Sequence, residues 1–260
     1  ALWDCRPERG HGRLQRKARA TLHGCIIAQQ IPETTLLEFS GPTGRPPSHQ
    51  ARAPLFETTN MFLTDVQIMI RELAENFAMS ELRPHAAAWD KAGELDRAKL
   101  AELGKLGFGG IYTRDAFGGA GLGRLDAALI FEQLSRGDVS HAAFLSIHNM
   151  ATWMIDCFSG DELRAKYLPR LTTADLIASY CLTEPGAGSD AASLTTTARR
   201  DGQEYVLNGS KAFISGAGFS DVYVVMARTA DEGARGVSAF VVDKDAPGLS
   251  FGKHEEKMGW

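Results

Sequence analysis

The chain reads as an α+β protein: a helical bundle at its N-terminal side, then an antiparallel β domain. From Leu63 to about Leu171 apolar residues recur at helical spacing, and after Leu171 the period shifts towards two. In that second half, Asp201-Gly202 and Asn208-Gly209 are the dipeptides of tight hairpin turns. Helices grouped ahead of strands are the segregated arrangement of α+β domains.

Taken in order, Thr64 and Gln67 form a capping-box start, and Val66, Met69, Ile70, Leu73 and Phe77 give the first helix an apolar stripe. Pro84 is expected to break or kink it. A second helix carries Leu100, Leu103 and Leu106 and stops at Gly107, a natural residue for a left-handed cap. The Gly118-Gly-Ala-Gly121 loop leads to a helix bearing Leu125, Leu129, Ile130 and Leu134. Ser140 is expected to open a long helix through Phe158, and a last helix should run from Asp161 to Leu168, closed by Pro169. Strands are expected at about 177–183, 193–199, 204–208, 210–214, 222–228 and 237–242.

Composition narrows the class. The 260 residues are 44% hydrophobic and 23% charged, the values of a globular protein with ample core. A net charge of −4 gives no reason to expect nucleic acid or a membrane surface as partner. No apolar run approaches the roughly 18 to 20 residues of a membrane span. Cys5, Cys25, Cys157 and Cys181 have neither metal-site nor disulfide-framework spacing, which suits a reducing compartment and gives no metal ligands. Residues 1–60 read apart: six basic side chains between Arg6 and Arg19, then the breaker-rich Gly41-Pro-Thr-Gly-Arg-Pro-Pro-Ser48. This segment is expected to be disordered, as a targeting peptide or as read-through ahead of Met61.

The densest signal is Tyr180-Cys-Leu-Thr-Glu-Pro-Gly-Ala-Gly-Ser-Asp190, after the strand-like Leu176-Ile-Ala-Ser-Tyr-Cys-Leu182. Gly186 and Gly188 permit positive φ and a close approach of ligand to bare backbone. Thr183 and Ser189 add hydroxyls, and successive N–H groups on such a bend suit an anionic or carbonyl-rich cofactor. An ordinary Pro-Gly turn between strands explains the same residues equally well. Gly186-Ala-Gly188-Ser-Asp-Ala191 also fits G-x-G-x-x-A, but a dinucleotide site needs a helix directly after it, and Ser193–Arg199 reads as strand. Phe213 and Ser215, if in a strand, share one face and offer an aromatic ring beside a hydroxyl.

Three blocks carry a resemblance to the acyl-CoA dehydrogenases, which are FAD enzymes. They are Cys181-Leu-Thr-Glu-x-x-Ala-Gly-Ser-Asp190 with Ser193, then Leu207-Asn-Gly-Ser-Lys-Ala-Phe-Ile-Ser215, then Gly248-Leu-Ser-Phe251 through Lys257-Met-Gly-Trp260. Ser146-Ile-His-Asn-Met150 and Trp153-Met-Ile-Asp156 are similar to the short branched-chain members. The resemblance spans about Met61 to Trp260, and it divides the chain into an N-terminal helical domain, 61–175, and an incomplete middle β domain, 176–260.

The resemblance implies roles. Tyr180, Cys181, Leu182, Thr183, Glu184, Pro185, Gly186, Ala187, Gly188 and Ser189 would line the flavin ring and pyrophosphate of FAD. Phe213, where Trp is commoner, would stack on the ring beside Ile214, with Ser215 near flavin N5. The acyl-CoA thioester would pass Ser189. By contrast His148 and Asn149 read as satisfied core groups, Glu184 reads as bonded to the loop's own N–H groups, and Phe144, Leu145 and Trp153 as core.

The family reaction passes the α-proton of an acyl-CoA to a glutamate and the β-hydrogen as hydride to the flavin. That glutamate is expected beyond Trp260, in a C-terminal helical domain that is missing here, so no catalytic residue is assigned in this chain, and the piece by itself is expected to be inactive. The parent would dehydrogenate a short branched acyl-CoA such as isobutyryl-CoA in valine breakdown. It would be a homotetramer handing electrons to an electron-transfer flavoprotein, in the mitochondrial matrix of a eukaryote or the cytoplasm of a bacterium. An acyl-CoA oxidase and a non-catalytic scaffold of the same fold are the alternatives.

Overall fold

A computed structural model describes residues 24–32, 36–37, 63–231 and 233–255. Most of the segment expected to lack structure, residues 1–60, lies outside these, as does the Lys257–Trp260 end of the third block. Two pieces of that segment are described, and both are strands: β1, Gly24–Pro32, and β2, Leu36–Leu37. The run Cys25-Ile-Ile27 within β1 has the β-branched composition that favours a strand.

Six helices build the first layer. Helix α1, Asp65–Phe77, starts from the expected capping box, with Thr64 Oγ1 accepting from the Gln67 N–H at 3.2 Å and Gln67 Oε1 accepting from the Thr64 N–H at 3.1 Å. It continues into a π-helical turn, Ala78–Leu82, and Pro84 ends the run ahead of α2, Ala86–Ala92. Helix α3, Arg97–Lys105, is capped by Asp96 and closed past Leu106 by Gly107 at φ +85°. Helix α4, Arg124–Gly137, follows the Gly118–Gly121 loop.

The stripe expected on α1 is only partly buried. Val66, Met69 and Leu73 are exposed, while Ala74, Phe77 and Ala78 are buried. Polar pairs set this rotation: Gln67 Nε2 donates to Asp126 Oδ1 at 3.0 Å and Arg136 pairs with Glu75 at 2.7 Å, so α1 lies parallel on α4. The small Ala74 and Ala78 then permit the close contact.

Two boundaries also differ from expectation. Helix α5, Val139–Phe158, is capped by Asp138 rather than opened by Ser140, because the Asp138 carboxylate accepts from both the N–H and the Nδ1–H of His141. Helix α6, Asp161–Thr172, runs through Pro169 instead of closing there. Only the N–H of Pro169 is lost, and the hydroxyls of Thr172 and Thr173 donate to the Leu168 and Pro169 carbonyls at 3.0 and 3.3 Å at the helix end.

The second layer is one sheet with strand order β1-β5-β4-β6-β7-β2 and β3 beside β6. Its strands are β3, Ala178–Cys181; β4, Thr197–Asp201; β5, Glu204–Ala212; β6, Val222–Arg228; and β7, Val237–Asp243. Pairing is antiparallel except that β3 lies parallel to β6, and β4 touches β6 in parallel at Thr197 and Arg228. Asp201-Gly202 makes its hairpin, with Gly202 at φ +63°.

Asn208-Gly209 does not turn. It lies inside the continuous β5, where a Cβ on Gly209 would come within 2.3 Å of Thr196 Oγ1. The glycine serves a close approach of chains, not a reversal. The strand expected at 193–199 starts later, because Ala191–Ser193 form a 3₁₀ turn.

Helix α5 is the spine between the layers. One side packs on the bundle through Phe144 and Leu145, the other on the sheet through Ala151, Met154 and Ile155.

Candidate functional site

The two segments singled out in the sequence meet at the ends of β3 and β5. The Ala212 N–H donates to the Thr183 carbonyl at 2.8 Å. Next to it, Lys211 Nζ donates to the Leu182 carbonyl at 3.0 Å and pairs with Glu184 Oε1 at 2.8 Å. On the other flank, Ser179 Oγ donates to the Ser215 carbonyl at 2.5 Å and bonds Ser220 Oγ at 2.7 Å. Residues 179–184 and 211–215 thus form one surface.

The turn itself is tight. Glu184 and Ala187 exchange both backbone bonds, at 3.0 and 3.1 Å, around Pro185-Gly186. Neither Gly186 nor Gly188 takes a positive φ, contrary to expectation, but an added Cβ at either would meet open space, so the backbone is approachable from outside. Among the described residues no protein acceptor takes the N–H groups of Gly186, Gly188 or Ser189, and all three residues are exposed. Beyond the turn, Asp190 accepts from the Ser193 hydroxyl. Arg228 donates to the Ala192, Leu194 and Gly233 carbonyls and anchors that return path.

Phe213 departs from the expected geometry. Strand β5 ends at Ala212, and Phe213 sits at φ +55° and is 71% exposed as a residue. The same-face argument for residues 213 and 215 therefore does not hold, since neither is in a strand. A bulky side chain in the left-handed region is strained, and a large apolar ring in water gains nothing from its position in this chain. Ile214 turns inward and packs with Tyr223 and Phe251.

The remaining candidates divide by burial. Cys181, Glu184 and Ala187 are buried, so a ligand meets at most their backbone. Burial pushes the Cys181 thiol up to about 12. Tyr180 is half-buried and packs towards α5 and α6. Leu182, Thr183 and Ser215 are half-buried beside the clasp, and Pro185 is exposed with Gly186, Gly188 and Ser189. No bond joins Ser189 to 213–215 among the described residues.

Glu184 does not bond its own loop, as expected from sequence, but reaches the chain ahead of β4. Its Oε2 accepts from the Thr195 N–H at 2.6 Å and hydroxyl at 2.8 Å, and its Oε1 accepts from the Thr196 N–H at 2.9 Å. Burial disfavours the carboxylate, but Lys211, Thr196 and Thr195 together outweigh it and hold the group at about 2. Burial lowers the Lys211 pKa, and the hydrogen bond and charge of Glu184 oppose that shift. Sequence reasoning gives Lys211 no role; the signal available was its place inside the Leu207–Ser215 block.

His148 and Asn149 are satisfied core groups, as expected. His148 Nε2–H donates to the Leu171 carbonyl and Nδ1 accepts from the Ala178 N–H, each at 3.0 Å. Asn149 accepts from the Ile111 N–H at 2.7 Å and donates to the Phe108 and Leu145 carbonyls.

Both layers match known proteins. Residues 64–175 match the family model "Acyl-CoA dehydrogenase, N-terminal domain" and residues 179–260 match "Acyl-CoA dehydrogenase, middle domain". The chain is 54% identical over 199 residues to the mitochondrial isobutyryl-CoA dehydrogenase of Dictyostelium discoideum, and 52% identical over 201 residues to that of Bos taurus. These alignments take in 76% and 77% of this chain and 48% of each relative, so the chain spans about half the length of the curated relatives it matches. Among solved structures, a chain in one of the electron transferring flavoprotein of Acidaminococcus fermentans superposes with a TM-score of 0.74 at 39% identity, covering 77% of this chain and 53% of that one. The FAD complex of PigA superposes with a TM-score of 0.73 at 35% identity, covering 76% and 53%.

Proposed function

The chain belongs to the acyl-CoA dehydrogenase family, whose cofactor is FAD, and on that premise we propose that it carries half of a flavin and acyl-CoA site for the α,β-dehydrogenation of a short branched acyl-CoA such as isobutyryl-CoA. One observation carries this reading. The turn at 180–189 and the segment at 213–215 are fastened together at Thr183 and Ala212, so their exposed groups serve one ligand.

The residues present fit a flavin dinucleotide. Exposed N–H groups at Gly186, Gly188 and Ser189 suit phosphate or carbonyl oxygens, and open space stands over both glycines. The exposed Phe213 ring offers a face for stacking, which explains why a strained, solvated aromatic is kept there. Ser215 and Thr183 lie at the junction, where their hydroxyls can bond the polar edge of a flavin ring. Ser189, at the outer end of the turn, is where the acyl thioester would pass. When bound, FAD supplies the acceptor for a hydride; the protein groups here bind and orient, and no described carboxylate at this surface is free to take a proton. Glu184 is committed to Lys211, Thr195 and Thr196, and Asp190 to Ser193. Turnover by these residues alone is therefore proposed to be low.

Electron-transfer flavoprotein as acceptor, valine breakdown as pathway and the mitochondrial matrix as compartment form part of the same proposal; the mitochondrial relatives support the compartment, and the superposition on a chain in an electron transferring flavoprotein structure supports the acceptor. The test is a titration of the chain with FAD, followed by flavin fluorescence and absorbance. Saturable quenching, shifted to higher protein concentration on altering Phe213 or Thr183, supports the reading; a flavin signal identical to free FAD at every protein concentration sinks it. With bound FAD, isobutyryl-CoA should bleach the yellow band of a protein as long as the relatives, without peroxide release if the oxidase alternative is wrong.

A further inference from the structure

We propose that the buried Glu184–Lys211 ion pair is a positioning device, fixing the turn at 180–189 against the segment at 213–215 and so setting the spacing at which the two hold a flavin. The proposal rests on the flavin reading above and adds the role of two residues that touch no cofactor.

The contacts make a clasp with three points on one side. Leu182, Thr183 and Glu184 are each tied to Lys211 or Ala212, by the Lys211–Leu182 bond at 3.0 Å, the Ala212–Thr183 bond at 2.8 Å and the ion pair at 2.8 Å. The second side is the return path, where the same Glu184 carboxylate holds Thr195 and Thr196. Residues 185–194 are therefore pinned at both ends by one side chain. Both partners are almost wholly buried, at 1% and 3% side-chain exposure.

Stability alone is a weak reason for such a pair, because burying two charges costs about as much as their attraction returns. A well-packed apolar pair would hold the sheet equally well. It would keep the backbone bond between Ala212 and Thr183 but would lose the Lys211 bonds to Leu182 and Glu184 and the Glu184 bonds to Thr195 and Thr196, which fix the direction of the exposed N–H groups.

The test uses the 260-residue chain with Lys211→Met, Lys211→Arg, Glu184→Gln and the double variant Glu184→Gln/Lys211→Met. Amide hydrogen exchange of peptides within 185–196 is compared with peptides from 142–158, and FAD affinity is measured by flavin fluorescence. Lys211→Met and Glu184→Gln should speed exchange in 185–196 about tenfold or more and weaken FAD by a similar factor, with 142–158 unchanged. Lys211→Arg should recover part of both. If Lys211→Met leaves too much buried charge to fold, the double variant, which has none, carries the comparison. Unchanged exchange in 185–196, or unchanged FAD affinity in a folded variant, overturns the proposal. A wild-type chain that binds no FAD overturns the flavin reading and the flavin half of this one, while the exchange data still decide whether the clasp fixes the turn.

Discussion

His148 on α5 accepts the backbone N–H of Ala178, the first residue of β3, and thereby joins the helical layer to the sheet at the base of the candidate site. Its other nitrogen donates to Leu171 at the end of α6, so the ring must be neutral with its proton on Nε2.

That bonding gives a pH dependence. Burial lowers the His148 pKa from 6.5 to about 4. A depressed folded-state pKa means the unfolded chain takes up the proton first, so stability is full above about pH 6.5 and falls as pH drops towards 4. The loss amounts to about 3 kcal/mol over that window. Melting temperature measured from pH 7 to pH 4 should fall accordingly. His148→Gln should be less stable at pH 7 yet flatter across the window; an equal slope in both proteins would count against the assignment.

Asn149 should be costly to replace. Asn149→Leu leaves the buried Ile111 N–H and Phe108 carbonyl without their partner, a loss of about 2–4 kcal/mol. Urea denaturation would show it as a lower midpoint with an unchanged slope.

Gly216 sits at φ +80°, and a Cβ there would fall 2.5 Å from Ser220 Oγ and 2.6 Å from both Phe144 Cε2 and Ser179 Oγ. Gly216→Ala should destabilise by about 2–4 kcal/mol, from left-handed strain and overpacking together. Because the displaced Ser179 also bonds Ser215, flavin affinity should fall in the same variant even where it remains folded.

Phe213 separates binding from stability. Phe213→Gly relieves the positive φ but loosens the unfolded chain, so the melting point should move by no more than about 0.5 kcal/mol equivalent. Loss of the stacking ring should weaken FAD roughly three- to tenfold. A variant that loses stability instead, with FAD affinity intact, would mark Phe213 as a packing residue.

Local chemistry was legible in the sequence, and tertiary use of the same chemistry was not. Thr64 with Gln67, Gly107 and Asp201-Gly202 act through neighbours a few residues away, and each does what its type dictates. Asn208-Gly209 has the same turn composition as Asp201-Gly202, yet Thr196 on the adjacent chain determines its use. Pro169 lies in the last turns of α6 without ending it, and α1 is rotated by polar partners on α4. At the site, the fold brings the two motif segments side by side. Their division into exposed contacts and buried supports depends on Lys211 reaching back 27 residues to Glu184, which no spacing rule shows.

The parallel placement of β3 beside β6 imposes an order on how the molecule forms. The hairpins β4–β5 and β6–β7 close short loops and can zip early, whereas Ala178 meets Val222 only after some forty intervening residues are gathered. Docking of β3 then carries a larger chain-entropy barrier than either hairpin, though the closures of β1 on β5 and β2 on β7 span far more chain. The ligand surface, built where β3 ends, accordingly matures after the two hairpins.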